Sequence, residues 1–430
     1  MSSTHAAALF GRVPRLHGPA HILTSLVRRR LLIAAAQAAS LSLLRTSPAG
    51  AQVQGDALRI GILTDMSGVN ADLSGAGTVE AVRMAVSDYG DKVLGRPIQI
   101  VIGDHFNKPD VGMAIARQWY DSGVGTILDV GLSSIALGVQ DLARQKQKVV
   151  IFGSSLTSDL TGKACSPNGI SWVTDNYAQA KAVTTEAVNR GASTWFFITA
   201  DYVLGRNIER DATEFVKDSG GKVIGSVVHP LELTDATAFL LAAQASGAKA
   251  IGLATTTANA AQILKQAHEF RMDRGEQRLF AFNLQERDIQ SLGLDVAQGY
   301  FINAPFYWDL NNETRTWSER FFNRMKVMPN SIHAGMYGAA LHYLRAVAAV
   351  GSDVAQTVLR HMRETRINDM MTRDGWIRED GRVIRDLYMF RVKAPSESNG
   401  AWDLYTVVAR IPGDAAFRPT LGSGCSLVAQ

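Results

Sequence analysis

At 430 residues the chain is long enough for two or three domains, and 46% hydrophobic with 20% charged side chains is the balance of an ordinary globular protein, which excludes disorder and a coiled coil. The formal charge of +4 does not signal a nucleic-acid partner, because its excess is local. Six of the 44 basic residues and none of the 40 acidic ones fall in residues 1–51, so the rest of the chain is slightly acidic.

Residues 1–51 read as a cleaved export signal. Arg28-Arg29-Arg30 is the positive region, and Leu31–Leu44 is a short stretch of Ala, Leu, Ile and Ser. Ala49-Gly50-Ala51 then supplies the small-x-small pattern that a signal peptidase cuts, with Gln52 as the new terminus. The paired arginines suit a twin-arginine route as well as ordinary secretion. No later segment approaches the ~18 uninterrupted apolar residues of a membrane span, so a periplasmic, soluble mature chain is expected. Cys165 and Cys425 are the only cysteines, and in an oxidising compartment an even pair is a disulfide candidate. Such a bond would tie down the C-terminal tail, whose last fifteen residues look irregular.

Strand and helix patterns then alternate along the chain. Leu58–Leu63 is a strand ending in the loop Thr64–Gly68, followed by a helix over Gly77–Tyr89. Pro97–Ile102 is a strand, Pro109–Ser122 a helix and Thr126–Val130 a strand. Ser133-Ser134 then cap a helix through Ala143, and Val149–Phe152 ends at Gly153-Ser154-Ser155. The rhythm restarts with helix Tyr177–Arg190, strand Thr194–Ile198, helix Arg206–Ser219, strand Lys222–Val228, helix Ala236–Ser246, strand Ala250–Leu253 and helix Ala258–Phe270. Leu279–Phe282 and Gly299–Ile302 read as strands, Thr314–Arg366 as mostly helical, and Asp386–Val392 and Trp402–Val408 as late strands. The fold class is α/β: two Rossmann-like lobes, each a parallel sheet covered by helices.

Ligands of open parallel sheets bind beyond the carboxyl ends of the strands. The polar loops Asp65–Gly68, Gly103–Asn107, Gly131–Ser134 and Gly153–Thr157 all sit there. In Gly131-Leu132-Ser133-Ser134, hydroxyls and free backbone N–H groups converge at a helix start, where the dipole favours an anion. Two such loops without a nearby lysine or arginine suit a carboxylate better than a phosphate.

Motifs for chemistry fail. There is no phosphate-binding loop: Gly162-Lys163-Ala164 lacks the hydroxyl and the upstream glycine. Gly75-Ala76-Gly77 lacks the third glycine of a dinucleotide fingerprint, and His268-Glu269 has Met272 where a zinc helix needs histidine. No nucleophile elbow and no histidine cluster occurs, so no enzyme, metal or cofactor is expected.

Arg59–Gly68, Ser133-Ser134, Ser158-Asp159-Leu160-Thr161, Ala200–Gly205 and Gln262–Ala267 resemble, in order and spacing, the type I periplasmic solute-binding proteins of ABC importers, in their Leu/Ile/Val-binding branch. The resemblance implies two lobes joined by three hinge strands that close over a ligand. Lobe one would be 58–173 plus 302–375, lobe two 176–299 plus 380–410, and 411–430 a tail, with crossings near Trp172–Asn176, Gly299–Asn303 and Gly375–Arg382. It also implies that Ser133, Ser134, Ser154, Ser155 and Thr157 hold a ligand carboxylate, with Met66 in the first loop and Tyr177, Tyr202, Thr256 and Asn283 as further walls. The implied partners are a small carboxylate, a membrane permease and its ATPase subunits, with a monomer the simplest state. Where amino-acid binders of this branch carry a tyrosine in the first loop, this chain has Leu73. Where they carry the glutamate that pairs with the ligand ammonium, it has Phe282 or Asn283. These departures favour an aromatic acid, with an amino acid the leading alternative. A sensory module of the same fold and an exported enzyme are the competing functional readings.

Overall fold

A computed structural model describes residues 55–272 and 275–428. The export signal expected over residues 1–51 lies outside them. Leu58–Thr64 forms strand β1, followed by helix α1 (Gly75–Tyr89), the short β2 (Lys92–Val93) and β3 (Arg96–Asp104). Then come α2 (Pro109–Asp121), β4 (Thr126–Asp129), α3 (Ser133–Lys146), β5 (Val149–Phe152) and β6 (Gly169–Ser171). The strands form one sheet in the order β2-β3-β1-β4-β5-β6, parallel except for the β2–β3 pair. Its central strands are apolar on both sides because both faces are covered. Ile60, Ile62 and Ile151 pack against α1 and the later helical region on one face. Leu63, Ile127, Val150 and Phe152 pack against Ala116, Ile135 and Val139 of α2 and α3 on the other.

The pattern repeats with α4 (Asn176–Asn189), β7 (Thr194–Ala200), α5 (Val203–Asp218), β8 (Lys222–His229), α6 (Thr237–Ala245), β9 (Ala250–Ala254), α7 (Thr257–Glu269) and β10 (Arg278–Ala281). These strands make a wholly parallel sheet, β10-β9-β7-β8. Trp195 and Phe197 meet α4 and α5 on one face, and Ile198, Ile251 and Leu253 meet α6 and α7 on the other.

Short helices α8 (Glu286–Leu292) and α9 (Leu294–Ala297) lead to β11 (Phe301–Ala304), α10 (Asn312–Met325), α11 (Ser331–Val350) and α12 (Ala355–Glu364). The hairpin β12 (Trp376–Ile377) and β13 (Val383–Ile384) precedes β14 (Leu387–Val392) and β15 (Tyr405–Ile411), which form an antiparallel sheet with β11. Phe306, Trp317, Ile332, Ile377 and Val383 join the core of the first sheet. Ile302, Ala304, Phe390, Val392 and Tyr405 join that of the second. The chain ends in a turn of helix, α13 (Gly413–Ala416), and a tail joined to the body by the expected disulfide, Cys165–Cys425, with Cα atoms 5.5 Å apart.

Several boundaries differ from the sequence expectation for visible reasons. The helix expected from Arg206 starts at Val203, one turn earlier. Ser133 and Ser134 do not cap α3: Leu132 takes the cap position in extended conformation, and Ser133 is already helical. The strand expected from Gly299 starts at Phe301, because Gly299 is left-handed (φ 83°). The strand expected from Trp402 starts at Tyr405, because the Trp402 carbonyl accepts hydrogen bonds from the Tyr307 hydroxyl and Trp308 Nε1, both at 2.8 Å. Gly381 is also left-handed (φ 86°), and a Cβ there would lie 2.4 Å from the Gly169 carbonyl oxygen. Gly381→Ala should therefore cost about 2 kcal/mol or more, read as a lowered midpoint in urea denaturation.

Candidate functional site

The carboxyl ends of the two parallel sheets face one another, and loops from both sides enclose a cavity of about 20 Å³. From the first sheet come Asn70 and Leu73 after β1, Gly131, Leu132 and Ser133 after β4, and Ser154 and Leu156 after β5. From the second come Tyr202 and Leu204 after β7, Thr256 and Thr257 after β9, and Asn283 after β10. Such a volume holds roughly one water molecule, so the loops are closed on each other. Contacts across the gap say the same. Asn207 Nδ2 of α5 donates to Thr157 Oγ1 at 2.5 Å, the Ser158 hydroxyl donates to Asp211 at 2.8 Å, and Arg287 pairs with Asp72 at 3.1 Å.

The lining mixes leucine side chains with hydroxyls and amides and carries no charge. Among the described residues, no Asp, Glu, Lys, Arg or His contributes to it. Ser133 Oγ and Asn283 Oδ1 are buried there without a protein partner, and Ser154 Oγ makes no close hydrogen bond but lies on the side of the Asp129 carboxyl. An unsatisfied buried polar atom costs on the order of 1–3 kcal/mol, and the polar atoms that converge on this cavity are ones a ligand can reach from it. Ser133 also opens the fourteen-residue α3, whose first N–H groups and dipole favour negative charge at this spot.

Five of the ten residues expected from the sequence therefore line the cavity: Ser133, Ser154, Tyr202, Thr256 and Asn283. Burial pushes the Tyr202 phenol well above its usual range, so it stays a neutral hydroxyl. Thr256 has a second task, because its Oγ1 accepts the Asn259 N–H at 3.2 Å and caps α7. The other five stand apart from the lining. Ser134 is exposed, and Ser155 is buried with an unpartnered hydroxyl. Thr157 is buried and accepts from Asn207, while Met66 is half-buried against the core of the first sheet. Tyr177 packs edge-on to Phe215, with ring centroids 4.8 Å apart, beneath the Arg418 guanidinium. Of the lining residues not expected, Leu132 lay inside a loop the strand-end rule had marked, whereas Asn70 and Leu204 gave no chemical signal.

Three acidic residues could be imagined as a counter-ion for a ligand ammonium. Asp65 is fully committed: Oδ1 accepts Gly68 N–H at 2.7 Å, and Oδ2 accepts Asn70 N–H at 2.9 Å and Asn107 Nδ2 at 2.5 Å. Asp201 is exposed and paired with Arg206 at 2.8 Å. Glu286 is buried, and burial, assisted by Asp288, pushes its carboxyl up to about 8, so it is mostly neutral at pH 7.

The profile of the periplasmic binding protein family matches residues 57–401. This chain belongs to that family. Among solved structures, a periplasmic binding protein from Burkholderia mallei is 39% identical and spans 86% of this chain and 99% of its own, with a TM-score of 0.85. A branched-chain amino acid ABC transporter periplasmic ligand-binding protein from Burkholderia xenovorans is 37% identical over 86% of this chain and 99% of its own, with a TM-score of 0.77. A solute-binding protein of an ABC transporter from Rhodopseudomonas palustris, in complex with 3,4-dihydroxybenzoic acid, shares the fold at 18% identity, covering 84% and 98% of the two chains with a TM-score of 0.75. No curated protein matches the sequence. A larger surface groove of about 710 Å³ lies away from this cavity. It lies at the amino-terminal ends of β9 and β10, and its Arg190 and Arg391 are already paired with Glu186 and Glu397.

Proposed function

We propose that this periplasmic binding protein is the extracytoplasmic receptor of an ABC importer and captures a small carboxylate with an apolar or aromatic body. The observation that carries this reading is the cavity lining: serine hydroxyls, that of Ser133 unpartnered at a helix start, with neither a cation for a phosphate nor an anion for an ammonium. An α-ammonium enclosed there without a counter-charge would cost several kcal/mol, so an amino acid should bind far less well than an aromatic acid. The fold is able to hold such an acid, as the Rhodopseudomonas palustris complex illustrates.

In this reading the halves swing about the segments near Trp172–Asn176, Gly299–Asn303 and Gly375–Arg382. A bound acid stabilises the closed form by touching both sides at once. The closed protein hands the solute to a permease whose ATPase subunits supply the energy. Capture needs no chemical change in the ligand.

A thermal-shift series of the signal-free protein with benzoate, 4-hydroxybenzoate and leucine tests the proposal. A ligand at 100 times its Kd adds about 2.7 kcal/mol of apparent stability, so the two aromatic acids should raise Tm and leucine should not. Ser133→Ala should weaken benzoate about tenfold or more while leaving the empty protein's Tm unchanged, because that hydroxyl has no protein partner to lose. A Tm shift by leucine alone would overturn the assignment.

A further inference from the structure

Asp129 is the last residue of β4, fully buried, and stands immediately before the Gly131–Ser133 loop. Its backbone is left-handed (φ 79°), and so is that of Val130 (φ 54°), an uncommon conformation for a β-branched residue. The turn is pinned by the neighbouring strands. Val130 N–H donates to the Leu63 carbonyl at 2.9 Å, and Gly153 N–H donates to the Asp129 carbonyl at 3.0 Å. The side chain crosses from one hydroxyl-bearing loop to the next: Asp129 Oδ1 accepts the Ser154 N–H at 2.9 Å. Gly153 lies directly against this carboxyl, for a Cβ there would sit 2.9 Å from Oδ1.

We infer that Asp129 is the positioning residue of the ligand site, the side chain that sets Ser154 at a fixed place relative to Ser133 so that both hydroxyls reach one carboxylate. The inference rests on the carboxylate reading of the cavity given above. Backbone pairing alone fixes the ends of β4 and β5, but not the direction in which the loops leave them. One covalent neighbour of the Asp129 side chain leads to Ser133 within four residues, and its hydrogen bond holds Ser154. Both serines line the cavity from that anchor.

The surroundings define what the side chain must be. No cation pairs with Asp129 among the described residues. The polar groups facing it are the hydroxyls of Thr64, Ser74 and Ser154, with the buried His105 behind Gly131. Burial raises the Asp129 carboxyl above its usual range, which moves it toward the neutral acid. Asparagine is then a close mimic: it keeps an acceptor oxygen and tolerates the left-handed backbone. Glycine tolerates the same backbone but removes the acceptor.

The test compares Asp129→Asn and Asp129→Gly by two measurements on the signal-free protein. One is hydrogen exchange at the Ser154 amide without ligand, and the other is benzoate affinity by titration calorimetry. The Asn variant should keep slow Ser154 exchange and stay within threefold of the original affinity. In the Gly variant, Ser154 should exchange at least tenfold faster and benzoate should bind at least tenfold more weakly. If the Gly variant retains slow exchange and full affinity, or the Asn variant loses both, the inference is overturned. Should the Gly variant not fold, Asp129→Ala, which also removes the acceptor, takes its place with the same expected outcomes. If the unmutated protein binds no aromatic acid, the carboxylate reading falls, while Ser154 exchange still decides whether Asp129 holds the loop.

Discussion

Replacing Cys165 and Cys425 by serine should cost about 5 kcal/mol of stability, the chain-entropy value for opening a loop of this length. The bridge spans 260 residues, so it constrains most of the folded chain in the denatured state. It also completes a strap. Ala416 and Phe417 pack beside α4, the Arg418 guanidinium pairs with buried Asp211 of α5 at 2.8 Å and covers Tyr177, and Cys425 then reaches the loop after Thr161. The tail thus touches the helices of the second sheet and is bonded to a loop of the first. Urea denaturation of the double serine variant should show a lower midpoint together with a larger slope, because the unbridged denatured chain exposes more surface. A midpoint unchanged within error would mean that the noncovalent contacts of the tail hold it without the bond.

How far the sequence could be read depended on which forces wrote each feature. Strands buried on both faces, such as Leu58–Thr64 and Val149–Phe152, leave uninterrupted apolar runs, and the helices between them leave a clear period. Two- and three-residue strands leave neither, so β2, β6, β12 and β13 went unseen; their pairing is imposed by neighbours. The site was half legible for the same reason. Ser133 and Ser154 follow strand ends, where a general rule of parallel sheets points, whereas Thr256 and Asn283 came only from the family resemblance. Thr157 follows one too, but its hydroxyl is engaged by Asn207, a partner fifty positions away that no local pattern announces. Asp129 lay unremarked inside the expected strand Thr126–Val130, since nothing in its neighbours' identity reveals the left-handed turn that aims it at Ser154.

Arg382→Ala should destabilise the protein by about 3–5 kcal/mol, the range for breaking a buried ion pair by removing one partner. Arg382 is 1% exposed, and its guanidinium is surrounded by commitments. It pairs with Asp175 at 3.3 Å, donates to the carbonyls of Ser171 and Val173, and lies over the Phe417 ring 4.9 Å from its centroid. Asp175 in turn caps α4 by accepting the Ala178 N–H at 2.9 Å. Alanine would strand a buried carboxylate and two carbonyls at once. Lysine should not rescue it, because a single ammonium cannot reproduce the planar fork that serves Asp175 and the carbonyls of Ser171, Val173 and Val383. The decisive variant is Arg382→Met with Asp175→Asn, which fills the volume, keeps the helix cap and removes both charges. By urea denaturation the pair should recover most of what Arg382→Met alone loses, giving a coupling energy of about 1 kcal/mol or more. Strict additivity would show that the carbonyl bonds, and not the ion pair, hold Arg382 between Ser171 and Asp175.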